Sequence, residues 1–454
     1  MTPSKARLPL RMAFPSGLIL FAILGSACGL QASASPPPPT EAPLPSAQAP
    51  SASAAPGTTV VYTKDGDILV WDDVSGESRK IFDSGDVIRV ELSDDRQLVA
   101  FLRRSIVQTG DAEWREESAL WVGGLGSENP RELVSAGTLR GLLGASERYS
   151  SNIPEMTWIP GTHRLLYNGW TYLVQAEGES HAFPVGLFSV DADQGTQQVL
   201  VAAEGPQRFV VSPDGRQVAL LTPTALAFVD ADGSNLRPDA MTYAQVGVPG
   251  PLFPVGVWTE DSHAFVVTGS FEQGPAAEIG FAIWRVPADG SAPDQLASIS
   301  RSHPGSVTFS PDGRFAAYIQ YTDAVPADIA GWFITQLGEG AGPLAVPRKL
   351  EPGYPSLHWS PGGKAFTGAL AELCPGATTD SEICDSPISW GGTAAVQWLD
   401  ATHLLLLTRD PSALFLESLD PSGQMDPASL PIDVWPLGQF VGPESFSAIE
   451  AAGG

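Results

Sequence analysis

A six-residue pattern recurs seven times along the chain, and its cleanest copies are Phe309-Ser310-Pro311-Asp312-Gly313-Arg314 and Val211-Ser212-Pro213-Asp214-Gly215-Arg216. The other copies begin at Leu92, Trp158, Trp258, Trp359 and Trp398, each an apolar residue followed by turn formers and, in most, by Arg, Lys or His. Apolar runs follow at once, among them Leu98 to Phe101, Leu165 to Tyr167, Val218 to Leu221 and Phe315 to Ile319. Pro presets φ for a turn, Asp bonds back to the backbone, and Gly takes a conformation that a Cβ opposes. Each copy therefore reads as a hairpin between two short strands rich in Val, Ile, Leu, Phe and Trp. Copies spaced about 40 to 65 residues apart indicate a radial or stacked repeat fold.

Each unit carries a second, polar turn further on, as in Val229-Asp230-Ala231-Asp232-Gly233-Ser234-Asn235, Val286-Pro287-Ala288-Asp289-Gly290-Ser291 and Val190-Asp191-Ala192-Asp193-Gln194-Gly195. Two hairpins per unit make four strands, the blade of a β-propeller. With an SPDG-like first turn and a D-x-D-G-S-x-like second turn, the chain resembles the TolB-type propeller repeat over roughly residues 58 to 450. The resemblance implies the fold and suggests protein partners. It carries over no reactive group, because the matching positions are turn and core residues.

The expected fold class is all-β, a propeller of seven or eight four-stranded blades. Three strands at the start, Thr59 to Thr63, Asp67 to Trp71 and Arg79 to Phe82, lack a preceding first turn, and a segment about Gly438 to Ile449 is expected to supply the missing strand and close the ring. The unit at Trp359 shows a first turn and then a cysteine-bearing loop. Eight blades follow if it is complete, seven if it is a fragment. Gly 47 and Pro 41 suit a turn-dense chain. Blades pack only on their neighbours, so one domain over 58–450 is allowed despite its size.

Residues 1–27 read as an export signal. Lys5, Arg7 and Arg11 precede the apolar run Leu18 to Leu24, and Gly25-Ser26-Ala27 lead to Cys28. That order resembles a bacterial lipoprotein signal, with Cys28 the lipid-modified residue; cleavage after Ala32-Ser33-Ala34 into a soluble secreted form is the alternative. Residues 28–57 are a tether whose Pro, Ala, Ser, Thr and Glu cannot bury enough apolar surface to order. Of the three cysteines, Cys374 and Cys384 are expected to form a loop disulfide, leaving Cys28 to the lipid. The expected location is an anchored lipoprotein on the periplasmic or outer cell surface, touching membrane only through its lipid.

The formal net charge of −26 becomes −29 once Lys5, Arg7 and Arg11 are removed. Such an acidic chain repels phosphate backbones, so nucleic-acid binding is not expected. No G-x-S-x-G elbow, Walker-type loop or dinucleotide-type glycine loop occurs in the sequence. No catalytic residue, cofactor or metal is assigned. His163, His263 and His403 fill the repeat position of Arg216, Arg314 and Lys364, and are expected to point to solvent in separate blades; His181, His303 and His358 are scattered singly. Asp230 to Asn235 does not fit a calcium loop, since the twelfth position is Met241.

Loop length carries the functional signal. With strands lettered a to d outward from the axis, a-b and c-d turns share one face while b-c and d-a connections share the other. Long segments at Arg103 to Ser118, Asn168 to Pro184, Gly269 to Gly280 and Tyr321 to Gly331 are b-c connections, and Ser135 to Pro154 and Pro238 to Pro251 are d-a connections. Long loops on a rigid scaffold carry recognition, and aromatics and Arg are frequent anchors. The ligand-face candidates are Arg104, Trp114, Arg115, Tyr149, Trp170, Tyr172, Phe271 and Tyr321. The expected function is a non-catalytic binding or scaffold module at the cell envelope, recognising a protein or glycan through that face. The alternative is an enzyme acting on polysaccharide or peptide through acids and His in the axial channel.

Overall fold

The computed structural model describes residues 58–345 apart from segments 73–76, 110–113, 128, 148, 173–183, 244–252, 273–279, 301, 303–306, 323–328 and 339–342, and then the strands between 358 and 450. The expected export signal, Cys28, the tether and Cys384 lie outside these residues. The described residues all fall within one compact unit.

Strands are numbered along the chain. The first sheet runs β3 (Glu77–Phe82), β2 (Asp67–Asp72), β1 (Thr58–Lys64), β32 (Phe446–Glu450). The closing strand expected near the C-terminus is β32, paired antiparallel to β1 from Phe446 opposite Tyr62 to Glu450 opposite Thr58. Next come β4 (Val87–Leu92), β5 (Leu98–Gln108), β6 (Trp114–Gly124) and β7 (Arg131–Val134), then helix α1 (Ala136–Leu142) and β8 (Ser150–Asn152). They are followed by β9 (Met156–Trp158), β10 (Arg164–Tyr172), β11 (Val185–Asp191) and β12 (Gln197–Pro206).

Four-stranded antiparallel sheets then repeat: β13 (Arg208–Val211), β14 (Gln217–Leu221), β15 (Ala225–Asp230), β16 (Arg237–Thr242); and β17 (Gly256–Trp258), β18 (Ala264–Glu272), β19 (Gly280–Pro287), β20 (Asp294–Ser300). After them stand β21 (Thr308–Phe309), β22 (Phe315–Tyr321), β23 (Ile329–Gln336), β24 (Pro343–Ala345), and β25 (His358–Trp359), β26 (Ala365–Thr367), β27 (Glu372–Pro375), β28 (Ile388–Ser389). The last sheet shows β29 (Thr393–Trp398), β30 (His403–Thr408) and β31 (Leu414–Ser418). First strands of successive sheets lie side by side: β4 beside β1 and β32, and β13, β17, β21, β25 and β29 each beside the next. This is the arrangement of a β-propeller. The Trp359 unit corrects the expected loop, since Cys374 lies on β27 opposite Phe366 and β28 pairs with β27.

Inner strands read as continuous apolar runs because both faces of each sheet are covered. Val99 and Phe101 of β5 pack toward the first sheet with Val61, Ile68 and Phe82, whereas Ala100 and Leu102 pack the other way with Trp158, Leu165, Tyr167 and Phe188.

The repeated turn has one geometry. Ser212 Oγ donates to Asp214 Oδ1 at 2.6 Å, and the amide of Gln217 donates to Ser212 Oγ at 3.0 Å. The same pair of bonds ties Ser310 to Asp312 and Phe315, Thr259 to Asp261 and Ala264, and Ser93 to Asp95 and Leu98. The fifth position is left-handed in all four, with φ +69° at Gly215 and +66° at Gly313, but also 60° at Ser262 and 58° at Arg96. The Trp158 copy lacks the hydroxyl and shifts the left-handed residue to Gly161 at φ 71°.

The repeat tryptophans latch sheet to sheet. Trp158 Nε1 donates to the carbonyl of Glu91 at 3.1 Å, Trp258 to that of Val210 at 2.9 Å and Trp359 to that of Thr308 at 3.3 Å. Each acceptor precedes the first residue of the previous repeat copy, so one polar atom on a buried ring sets the spacing of neighbouring inner strands.

Candidate functional site

The b-c connection Arg103 to Ser118, expected as a loop, is mostly strand. β5 and β6 stay in register from Leu98 opposite Gly124 to Gln108 opposite Trp114, while the last pair of β4 with β5 is Val87 opposite Arg103. The hairpin therefore projects beyond its own blade. The d-a connection Ser135 to Pro154 is also structured. Ser135 caps α1 by accepting from the Thr138 amide at 3.0 Å, and buried Leu139 anchors the helix. A Cβ at Gly169 would stand 2.8 Å from Leu143 Cδ2, so glycine there lets the helix sit against β10.

β8 then joins two blades. It runs parallel to β6, with Ser151 opposite Glu117, and antiparallel to β10, with Asn152 opposite Trp170 and Ser150 opposite Tyr172. Strands β4 to β12 thereby form one nine-stranded sheet. The platform β5-β6-β8-β10 crosses from one blade to the next on the long-connection face.

Alternation puts Ile106, Trp114, Glu116, Ser118, Asn152, Trp170 and Tyr172 on one side of this platform. Ser118 Oγ donates to Asn152 Oδ1 at 3.0 Å, Asn152 Nδ2 donates to the Tyr172 hydroxyl at 3.3 Å, and the rings of Trp170 and Tyr172 meet edge to face at 6.0 Å. Burial first, and then the nearby Glu116 carboxylate, raise the Tyr172 hydroxyl above its ordinary pKa against the pull of Ser150 and Asn152. Toward the tip the side opens to solvent, with Trp114 51% and Ile106 63% exposed.

The opposite side is an ion network. Buried Glu117 lies 2.8 Å from Arg115 Nε and also accepts from Arg140 Nη2 of α1. Arg115 Nη1 reaches the carbonyl of Glu147 at 2.5 Å, and Arg140 Nη1 lies 3.4 Å from its carboxylate. Two arginines and two glutamates balance, and the network holds α1 and the chain before β8 to the hairpin.

Of the candidates read from sequence, the platform brings together Arg104, Trp114, Arg115, Trp170 and Tyr172, with Tyr149 directly before β8. Arg104 is exposed, whereas the Arg115 side chain is only 12% exposed and serves the ion network. Phe271 on β18 and Tyr321 on β22 stand on separate sheets, and the side chains of Phe271 and Cys374 are outside the described residues. Ile106, Asn152, Glu117 and Arg140 were not legible as site residues: β8 places Asn152, α1 brings Arg140 to Glu117, and the register of β5 with β6 sets Ile106.

A second feature is a cavity of about 720 Å³ walled by residues of β4, β9, β13 and β17 and by Pro160, Pro213 and Pro311. Glu91 lines it. Burial pushes its carboxyl up to about 7, against the opposing pull of the Arg89 charge, the Thr157 hydroxyl and the Trp158 amide. Glu155, also in the wall, accepts from Arg208 Nε at 2.5 Å and Asn168 Nδ2 at 2.7 Å.

His163 corrects its expected solvent-facing position. Its Nε2 lies 2.9 Å from Asp95 and its Nδ1 3.0 Å from Asp193, so it clasps the turns of two blades. Burial opposes its charge, but the two carboxylates outweigh that and raise its pKa. His263 does stand in solvent, 82% exposed. Among the described residues no three His, Cys, Asp or Glu converge on a point that holds a metal, and no helix is long and apolar enough to cross a membrane.

No protein-family model matches the chain, and no curated protein matches it. Solved structures similar to it include dipeptidyl peptidase 4 of Porphyromonas gingivalis, at 9% identity and TM-score 0.47 over 80% of this chain and 56% of that one. The β-propeller domain of the Trilobed protease of Pyrococcus furiosus is similar at 13% identity and TM-score 0.42, over 78% and 98% of the two chains. Oligogalacturonate lyase of Vibrio parahaemolyticus is similar at 13% identity and TM-score 0.41, over 67% and 79%. Likeness at this level transfers no activity, and the propeller assignment rests on strand order and register in this chain.

Proposed function

We propose that the chain is a non-catalytic binding or scaffold module of the cell envelope, an eight-bladed TolB-like propeller that recognises a protein or glycan partner through the β5-β6-β8-β10 platform. The eight-blade count takes the nine-stranded sheet as two blades stitched by β8. What carries the reading is the platform itself. A helix, a buried ion network and an extra strand are spent on holding a projecting hairpin rigid, and that hairpin presents Trp114 and Ile106 to solvent beside Trp170 and Tyr172. Rigid exposed aromatics on a scaffold are the usual makings of a recognition surface. In this reading Cys28 is lipidated, the Pro-rich tether spaces the propeller from the membrane, and Cys374 pairs with Cys384.

The test is capture from solubilised envelope of the source cell on immobilised mature protein. Wild type is expected to retain one stoichiometric protein or one glycan, and Trp114→Ala with Trp170→Ala to lose it. Equal retention by both would remove the platform from the reading. Cys28→Ser is expected to move the protein to the soluble fraction.

A second reading, catalysis on polysaccharide or peptide inside the inner-strand cavity, is favoured by one observation, the Glu91 carboxyl held near neutrality. Hydrolysis of a glycan or peptide that Glu91→Gln abolishes would move the conclusion to it.

A further inference from the structure

We propose that β5 accepts an extended cationic peptide segment of a partner protein as an added antiparallel strand along Arg104 to Val107, on the line that β4 leaves at Asp86. This deepens the proposed function and rests on it. The register supplies the open edge. β4 ends against β5 with Val87 opposite Arg103, and the Arg104 amide makes a last bond to the Asp86 carbonyl at 2.9 Å. Backbone groups alternate sides along a strand, so the N–H and C=O of Ile106 point out of this same edge, and among the described residues no strand pairs there. Exposed edges are templates for another strand, and natural proteins blunt them with bulges, Pro or Lys. Here the tip instead carries Ser105-Ile106-Val107, free of Pro and Lys, with Ile106 63% exposed.

The choice of a peptide follows from what the edge offers. A main-chain ladder satisfies main-chain donors and acceptors in series, with every second side chain of the ligand meeting the platform. Ile106 stands opposite Glu116 and diagonal to Trp114, so at the tip that platform side offers apolar contact beside a carboxylate, while the exposed Arg104 stands at the inner end of the line opposite Ser118 and leaves the cationic positions of the ligand to the tip. The chain as a whole carries −26, a field that draws cationic segments and repels acidic ones.

The probe is a synthetic set of nine-residue peptides with Val or Ile at alternate positions and Lys or Arg between them, each with a twin N-methylated at alternate amides. Binding to full-length mature protein is read by fluorescence anisotropy at low salt. Members of the set are expected to bind, with the N-methylated twins at least tenfold weaker. Ile106→Pro removes an N–H that β6 does not use and should weaken binding tenfold, as should Ile106→Lys, which keeps the backbone and adds like charge. Arg216→Ala on the opposite face should leave affinity within twofold. Twins that bind as well as their parents would overturn strand addition while leaving the platform reading intact. So would a neutral oligosaccharide, cellohexaose, that binds in a Trp114-dependent way while no peptide does. If no peptide binds and envelope capture ignores Trp114→Ala as well, both fall. Should Ile106→Pro fail to fold, the twins and Ile106→Lys decide.

Discussion

Replacing Glu91 by Gln tests whether the inner-strand cavity buries a carboxyl that ionises only reluctantly. The folded value of about 7 lies some 2.5 pH units above the ordinary 4.5. At about 1.36 kcal/mol per unit the ionised form costs the fold about 3 kcal/mol. A raised pKa means that this stability is fully present below the unfolded value and is lost as pH climbs through the folded one. By pH 5.5 about 1 kcal/mol is gone, and by pH 8.5 nearly all of it, so the window between them carries about 2 kcal/mol. The amide of the Glu91→Gln variant does not titrate, keeps an oxygen to accept from the Trp158 amide, and can donate to the Thr157 hydroxyl. Its stability relative to wild type should therefore rise by about 2 kcal/mol from pH 5.5 to 8.5. For a propeller of this size that is a relative gain of roughly 2 °C in melting midpoint. Scanning calorimetry of both proteins across that range reads it directly. A midpoint difference that stays flat with pH would refute the burial of Glu91 as the dominant influence on its carboxyl.

The His163 clasp has the same sign for a different cause. Asp95 and Asp193 raise the imidazole, so its stabilisation is complete below the ordinary His range and fades as pH rises through the folded value. The advantage of wild type over His163→Gln in thermal melts should shrink from pH 5.5 to 8.5 and shrink further in salt; a constant advantage would show that the clasp is not ionic. Glu117→Ala removes the buried carboxylate between Arg115 and Arg140 and leaves them only the exposed carboxylate of Glu147. It should destabilise by about 3 to 5 kcal/mol and speed hydrogen exchange in α1 and β8, with little change in the sheet β13 to β16. Uniform exchange across the molecule would argue against a local role. Gly66→Ala, at φ +79° with a Cβ only 2.2 Å from the Gly85 carbonyl carbon, should cost well over 2 kcal/mol, while Gly144→Ala at φ +60° in open space should cost about 1. Comparable losses by denaturant titration would contradict the close approach.

Turn chemistry is local, and for that reason most of the fold was legible in the chain. Ser-Pro-Asp-Gly specifies its hairpin within six residues, and the apolar run after it is the strand that leaves. Repetition of those units is enough to indicate a propeller and to demand a closing strand, which β32 supplies. Degenerate copies were legible as positions but not as geometry. Nothing in Trp258-Thr259-Glu260-Asp261-Ser262 announces that Ser262 takes the left-handed backbone in place of Gly, because the neighbouring Thr259 and Asp261 bonds impose it.

The site was legible by location only. Long connections on one face follow from blade topology, and the residues nominated there include Trp114, Trp170 and Tyr172. Which of them meet was decided by β8, three residues whose pairing partners lie about 20 and 35 positions away and whose sequence, Ser-Ser-Asn, carries no strand signal. The same holds for Glu91, an unremarked acid between apolar neighbours until β9 closes over it, and for the indole latches, whose acceptors sit 48 to 67 residues upstream. Short-range covalent preference determined the blades. Long-range burial and pairing, which no local pattern records, decided the platform, the enclosed carboxyl and the open edge.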